Sequence, residues 1–140
     1  MKRTAHAHWN GDLKQGSGQI STQSTTLSNT QYSFNTRFAE GVGTNPEELL
    51  GAAHAGCFTM AVSAVLSQQG IKAGDLDTNA IVELDVTTQT IKGISLELTA
   101  SLIDGVSQEQ FEGIAKIAKE NCPLSKALAA TPITLSVIYQ

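Results

Sequence analysis

Residues 49–71 carry no Asp, Glu, Lys or Arg, and they follow directly on Thr44-Asn45-Pro46-Glu47-Glu48. That pentapeptide has the chemistry of a helix start. Asn45 can cap, Pro46 suits the first helical position because it lacks an amide that would go unsatisfied there, and two carboxylates meet the positive end of the dipole. The pattern predicts one long helix from 46 to about 69, stopped by Gly70. A stretch this long and apolar must also be tested as a membrane span. His54, Ser63, Ser67, Gln68 and Gln69, two internal glycines and the lone Lys72 behind them favour a buried helix instead. Gly51, Ala52, Ala53, Ala55, Gly56, Ala61 and Ala64 leave little side chain per turn, so the helix is expected to be central and packed on several sides.

The flanks read as strands and shorter helices. Residues 2–36 break into β-prone pieces separated by Asn10-Gly11-Asp12 and Gly16-Ser17-Gly18, and Asn-Gly is a hairpin signal. No residue from 15 to 36 is charged, yet Ile20, Leu27, Tyr32 and Phe34 point to ordered strands rather than a linker. After Gly74, Val82, Leu84 and Val86 alternate with polar residues, as do Ile94, Leu96, Leu98, Ala100 and Leu102; residues 89–93 form the expected turn. Ser107 to Gln110 is a capping-box pattern for a second helix ending near Asn121, because a residue before proline is pushed out of the helical region. Pro123 opens a short third helix, and residues 133–138 alternate as a last strand. Strands followed by helices without regular β-α alternation predict an α+β fold with antiparallel sheets. A chain of 140 residues predicts one domain, 1–140.

Composition excludes several roles. With 41% hydrophobic and 16% charged residues the chain has material for a core. A net charge of -4, with no basic run beyond Lys2-Arg3, disfavours nucleic acid and anionic membrane as partners. Two cysteines far apart exclude a CxxC motif and a disulfide-dense scaffold. With no apolar segment behind Lys2-Arg3, no signal peptide is read, and a cytoplasmic location is expected.

Cys57 lies about three turns into the long helix, with His54 one turn earlier on the same face. The pair fits a thiolate activated by an imidazole, and equally a buried cysteine beside a helix-face histidine. Cys122, just before Pro123, can cap the next helix, where a thiolate is favoured, or sit as a buried turn residue. Two thiols on separate elements meet the minimal need of a two-cysteine redox cycle, in which a sulfenic acid condenses with a second thiol. Arg37 is a surface charge or the donor fork that keeps a thiolate ionised; Glu47 is a first-turn carboxylate or the partner that fixes such an arginine. His6 and His8 share a strand face and lack a third metal ligand at recognisable spacing.

The segments FNTRFAEGVGTNPEELLGAAHAGCFTMAVS (34–63), ENCPLSKAL (120–128) and AHWNGDLKQGSG (7–18) resemble the OsmC branch of the OsmC/Ohr family of thiol peroxidases. His54, where the Ohr branch has tyrosine, points to the OsmC branch; Gly56 replaces a commoner alanine. The resemblance implies that Cys57 is the peroxidatic cysteine, Cys122 the resolving one, and Arg37 and Glu47 the residues that organise the thiolate. It implies an intertwined homodimer with antiparallel sheets wrapped around central helices and sites at the subunit interface. The implied activity is reduction of organic hydroperoxides, and of hydrogen peroxide less efficiently. Electrons return from small dithiols, lipoyl groups among them, with no metal, haem or flavin cofactor. Glu47 and Cys57 are ten residues apart, ~15 Å along one helix, so Glu47 is expected to reach Arg37 and Cys57 from the other chain. The alternatives are a Cys57/His54 thiol hydrolase or acyltransferase, which lacks an assigned orienting residue, and a non-catalytic small-ligand-binding dimer.

Overall fold

A computed structural model describes residues 1–140. The chain divides into two compact units, Met1–Leu49 and Leu50–Gln140.

The first unit opens with β1 (Ala5–Asn10), β2 (Ser17–Thr22) and β3 (Thr30–Tyr32), an antiparallel meander in that order. The Asn-Gly hairpin is present, but Asn10 pairs with Ser17 and the loop spans the residues between them. Asp12 explains the extra length: its carboxylate accepts from the Lys14 and Gln15 amides, and its carbonyl from Gly16, a local turn that outcompetes a two-residue reversal. The second strand ends at Thr22 rather than continuing to Leu27, because the Thr22 hydroxyl and carbonyl are taken up by a polar turn containing Thr25 at positive φ. Trp9 and Tyr32 pack at 5.4 Å across Gly18, where a Cβ would collide with both rings. Phe34 begins a helix, not a strand: Ser33 and Thr36 bond each other's amides in a capping box that starts α1 (Phe34–Phe38).

Next comes α2 (Pro46–Gln68), whose first turn closes the first unit and whose remainder belongs to the second. Its start is as expected, with Asn45 Oδ1 accepting from the Glu48 amide at 2.8 Å; Gly70, at φ +73°, takes the left-handed conformation just beyond its end. Within the second unit, β4 (Leu76–Asp85) and β5 (Thr90–Ala100) form a long antiparallel hairpin. The chain continues through α3 (Gln108–Asn121) and α4 (Pro123–Ala127) to β6 (Ile133–Tyr139), which returns parallel to β5. The sheets are thus antiparallel except for this one pair, as a helical crossover requires. The strand ends at Ala100, leaving Leu102 exposed.

The buried stripe of α2 in this unit is Gly51, His54, Phe58, Val62 and Leu66, spaced by three and four residues. The core contains these apolar side chains together with Ile94, Leu96 and Leu98 of β5 and Phe111, Ile114, Ala115 and Ala118 of α3. Each fully buried large side chain contributes about 1.5–3 kcal/mol by leaving water, which anchors α2 as a rigid platform for the groups along it. Ala52, Ala53, Gly56, Met60 and Ala64, by contrast, are exposed, Met60 at 76%.

Candidate active site

Two pairs of functional side chains form, one in each unit. In the first, Arg37 in the last turn of α1 forms an ion pair with Glu47 in the first turn of α2, at 2.8 Å. The short connection between the helices is fixed by Asn45, whose amide donates to the Thr36 carbonyl while its oxygen caps α2. Arg37 also lies over the Phe38 ring, 5.2 Å from its centroid. Trp9, Tyr32, Phe34 and Phe38 line a hollow of about 240 Å³ beside it. Both partners of this ion pair come from one chain, where Glu47 is expected to arrive from a second.

In the second unit, Cys57 on α2 and Cys122 at the start of α4 bring their sulfurs to 2.9 Å as free thiols. Cys122 is fully buried and Cys57 half-buried. A groove of about 670 Å³ opens beside Cys57, lined by Met60, Ala64, Val65 and Ile117 among others. Its apolar wall and single thiol suit an apolar substrate bearing one reactive polar end.

The two thiols titrate together. Burial pushes the Cys57 thiol up, the hydrogen bond with Cys122 raises it further, and the Leu124 amide opposes this only in part. Burial also pushes Cys122 up, but hydrogen bonding from Cys57, the Ser125 amide and hydroxyl, and the Leu124 amide outweighs it, so Cys122 ends below its ordinary value. The amides fall short of a full capping bond to the Cys122 side chain. The hydrogen bond between the sulfurs thus acts in opposite directions on its two ends, raising Cys57 and lowering Cys122.

His54 does not serve Cys57. Its Nε2 is 2.8 Å from Ser125 Oγ, and its Nδ1 is buried without a partner. Neither ring nitrogen bonds the thiol, and no carboxylate orients the imidazole, which removes the geometry a Cys-His hydrolase needs. Burial holds His54 below the usual imidazole value, in its neutral form. Ser125 is the residue that sequence reading misses; its only signal is its place one turn after Cys122, which does not reveal that it faces His54. His6 and His8 are exposed residues of β1.

A family model described as OsmC-like protein matches residues 39–137. Peroxiredoxin OsmC of Escherichia coli is 43% identical over 131 residues, covering 93% of this chain and 92% of the relative. Among solved structures, an organic hydroperoxide resistance protein OsmC from Legionella pneumophila superposes with a TM-score of 0.70 at 29% identity, covering 96% of each chain. An organic hydroperoxide resistance protein from Elizabethkingia anophelis does so with a TM-score of 0.73 at 25% identity, covering 100% of this chain and 99% of the other.

Proposed function

Because this chain belongs to the OsmC-like protein family, we propose that it is a peroxidase that reduces organic hydroperoxides through a Cys57 sulfenic acid resolved by Cys122. The names of its relatives support peroxide-related chemistry. The observation that carries the thiol mechanism is the 2.9 Å contact between the two sulfurs. A disulfide needs the sulfurs to close to ~2.05 Å, a small movement for side chains already in contact.

The Cys57 thiolate attacks the distal peroxide oxygen: a sulfur–oxygen bond forms, the oxygen–oxygen bond breaks, and the alkoxide leaves as an alcohol after taking a proton. Cys122 then attacks the Cys57 sulfur, a disulfide forms and the oxygen departs as water. An external dithiol, a lipoyl group being one candidate, returns two electrons by thiol–disulfide exchange. Hydrogen peroxide fits the same chemistry with less contact to the apolar groove. No metal or organic cofactor enters these steps.

Burial and the hydrogen bond with Cys122 raise the Cys57 thiol, so the first step needs a cation to draw the charge to that sulfur. Arg37, oriented by Glu47, is the proposed source. Since Glu47 and Cys57 are ten residues apart on α2, ~15 Å along its axis, the Arg37–Glu47 pair of one chain is assigned to Cys57 of a second. The exposed small residues Ala53 and Gly56 of α2 support such a homodimer by permitting close helix approach. On this reading residues 1–140 act as one domain, in the cytoplasm, where small dithiols stay reduced.

The decisive assay follows hydroperoxide loss with dithiothreitol as reductant. Wild-type protein should consume peroxide catalytically and Cys57→Ser protein should not. Undiminished turnover by Cys57→Ser rules out the assignment.

A further inference from the structure

Two links tie α2 to the segment at the start of α4, one helical turn apart. Cys57 meets Cys122 at 2.9 Å, and His54 meets Ser125 at 2.8 Å. The second lies wholly inside the protein, with His54 at 0% and Ser125 at 7% exposure. A buried imidazole costs free energy unless its polar atoms are paired, yet Nδ1 has no partner at all. A histidine that spends its one bond on a serine next to a reactive sulfur calls for an explanation beyond packing.

The unpartnered nitrogen fixes the direction of the bond. A neutral imidazole has one donor and one acceptor nitrogen. If Ser125 donated to Nε2, the ring proton would sit on Nδ1 as an orphaned buried donor, the rarer and costlier arrangement. With the proton on Nε2, the imidazole donates to Ser125 Oγ and Nδ1 keeps only a lone pair. The Ser125 hydroxyl proton is then free to point elsewhere, and the group one turn before it on the chain is Cys122.

We propose that His54 is a positioning residue for the second thiol: by donating to Ser125 it locks α4 against α2 beside the sulfur pair and turns the Ser125 hydroxyl proton toward Cys122. The inference rests on the reading of Cys57 and Cys122 as a redox pair and adds a role for two residues outside it. Cys122 Sγ lies 2.9 Å from the Cys57 sulfur of α2, and Ser125, one turn further along α4, has its hydroxyl 2.8 Å from His54 Nε2. The hydroxyl contributes to holding Cys122 below its ordinary value. In the resolving step the Cys122 thiolate forms the bond to the Cys57 sulfur, the sulfur–oxygen bond breaks, and the departing hydroxide takes a proton from solvent. His54 neither gives nor takes a proton; its effect is on the fraction of Cys122 present as thiolate and on where that sulfur lies.

The test reads Cys122 without any peroxide. In a Cys57→Ser background Cys122 is the sole thiol, and the new hydroxyl keeps a donor beside it. The midpoint of its thiolate ultraviolet absorbance is then followed against pH. Adding Ser125→Ala should raise the midpoint by about one unit, a roughly tenfold loss of thiolate at a given pH, because a hydrogen bond to a charged sulfur is gone. His54→Leu should move it the same way. Ser125→Thr, which keeps the hydroxyl, and His54→Gln, whose side-chain amide can donate in place of Nε2, should restore it. In the two-cysteine protein, Ser125→Ala should slow disulfide closure after one equivalent of hydroperoxide by about the same factor. An unchanged midpoint in Ser125→Ala overturns the proposal, and so does a raised midpoint that Ser125→Thr fails to restore. An unchanged midpoint in His54→Leu overturns it as well, and where that protein does not fold an unchanged midpoint in His54→Phe does the same. A midpoint that moves as expected in a protein inert toward hydroperoxides would instead keep the positioning role and remove the peroxidase reading.

Discussion

Arg37 holds Glu47 through two nitrogens: Nε lies 3.2 Å from each carboxylate oxygen and Nη2 lies 2.8 Å from Oε1. The arginine is 40% exposed and its partner 13%, so the pair adds little to stability; what it fixes is the direction of the guanidinium. Lysine at position 37 keeps the charge and loses the planar fork. Arg37→Lys should therefore lower the rate of hydroperoxide consumption by about tenfold or more, the worth of one charge-assisted bond. A near-normal rate would show that charge alone suffices.

The thiols divide the labour. Cys122→Ser protein should still form one sulfenic acid per chain and then over-oxidise, because nothing intercepts the intermediate. Wild-type protein treated with one equivalent of hydroperoxide should lose the mass of two hydrogens per chain, through a bridge between sulfurs already 2.9 Å apart. Disulfide-linked dimers in denaturing mass analysis, in place of that loss, would contradict the intrachain bridge.

If the Arg37–Glu47 pair of one chain serves Cys57 of the other, two inactive proteins should complement. A heterodimer of Glu47→Ala and Cys57→Ser chains contains one site with an intact thiol and an intact ion pair. Random exchange between the two should restore roughly a quarter of wild-type activity, one site in half of the dimers. Mass spectrometry confirms that heterodimers form. Heterodimers without activity would place the ion pair with the thiol of its own chain or remove Glu47 from the reaction.

Buried His54 gives stability a defined pH dependence. Its pKa is lowered by desolvation, so below an ordinary imidazole value of 6.5 the unfolded chain binds a proton that the folded chain does not. Stability should therefore fall as pH drops from about 6.5 toward the folded value, by at most ~1.4 kcal/mol per pH unit. Asp85, lowered by bonds from the Thr88 and Thr87 amides, has its contribution above the ordinary carboxylate value of 3.8, lost only as pH falls below that. Urea unfolding between those limits should show the slope in wild-type protein and a shallower one in His54→Gln. Equal slopes would mean that His54 is not the group responsible.

The start of α2 is legible in the sequence because its causes are local: Asn45, Pro46, Glu47 and Glu48 satisfy the first amides and the dipole by themselves. The long alternating strands are legible for the same reason, since burial of one face repeats every second residue. Helix α1 is local too but hidden, because its capping box uses Thr36 where the recognisable pattern has a longer polar side chain, and Phe34 reads as strand. Family likeness in the segments around Cys57 and Cys122 pointed to both thiols, and nothing in their own spacing did. What tertiary structure alone decided are the pairings. β6 lies parallel to β5, Cys57 meets Cys122 across 65 positions, and His54 meets Ser125 across 71. Each depends on how α2, α3, α4 and the second sheet bury Phe58, Leu66, Leu96 and Phe111 in one core. Burial of apolar area rewards contact without specifying register, so the partner of each polar group emerges only when the packed elements come to rest.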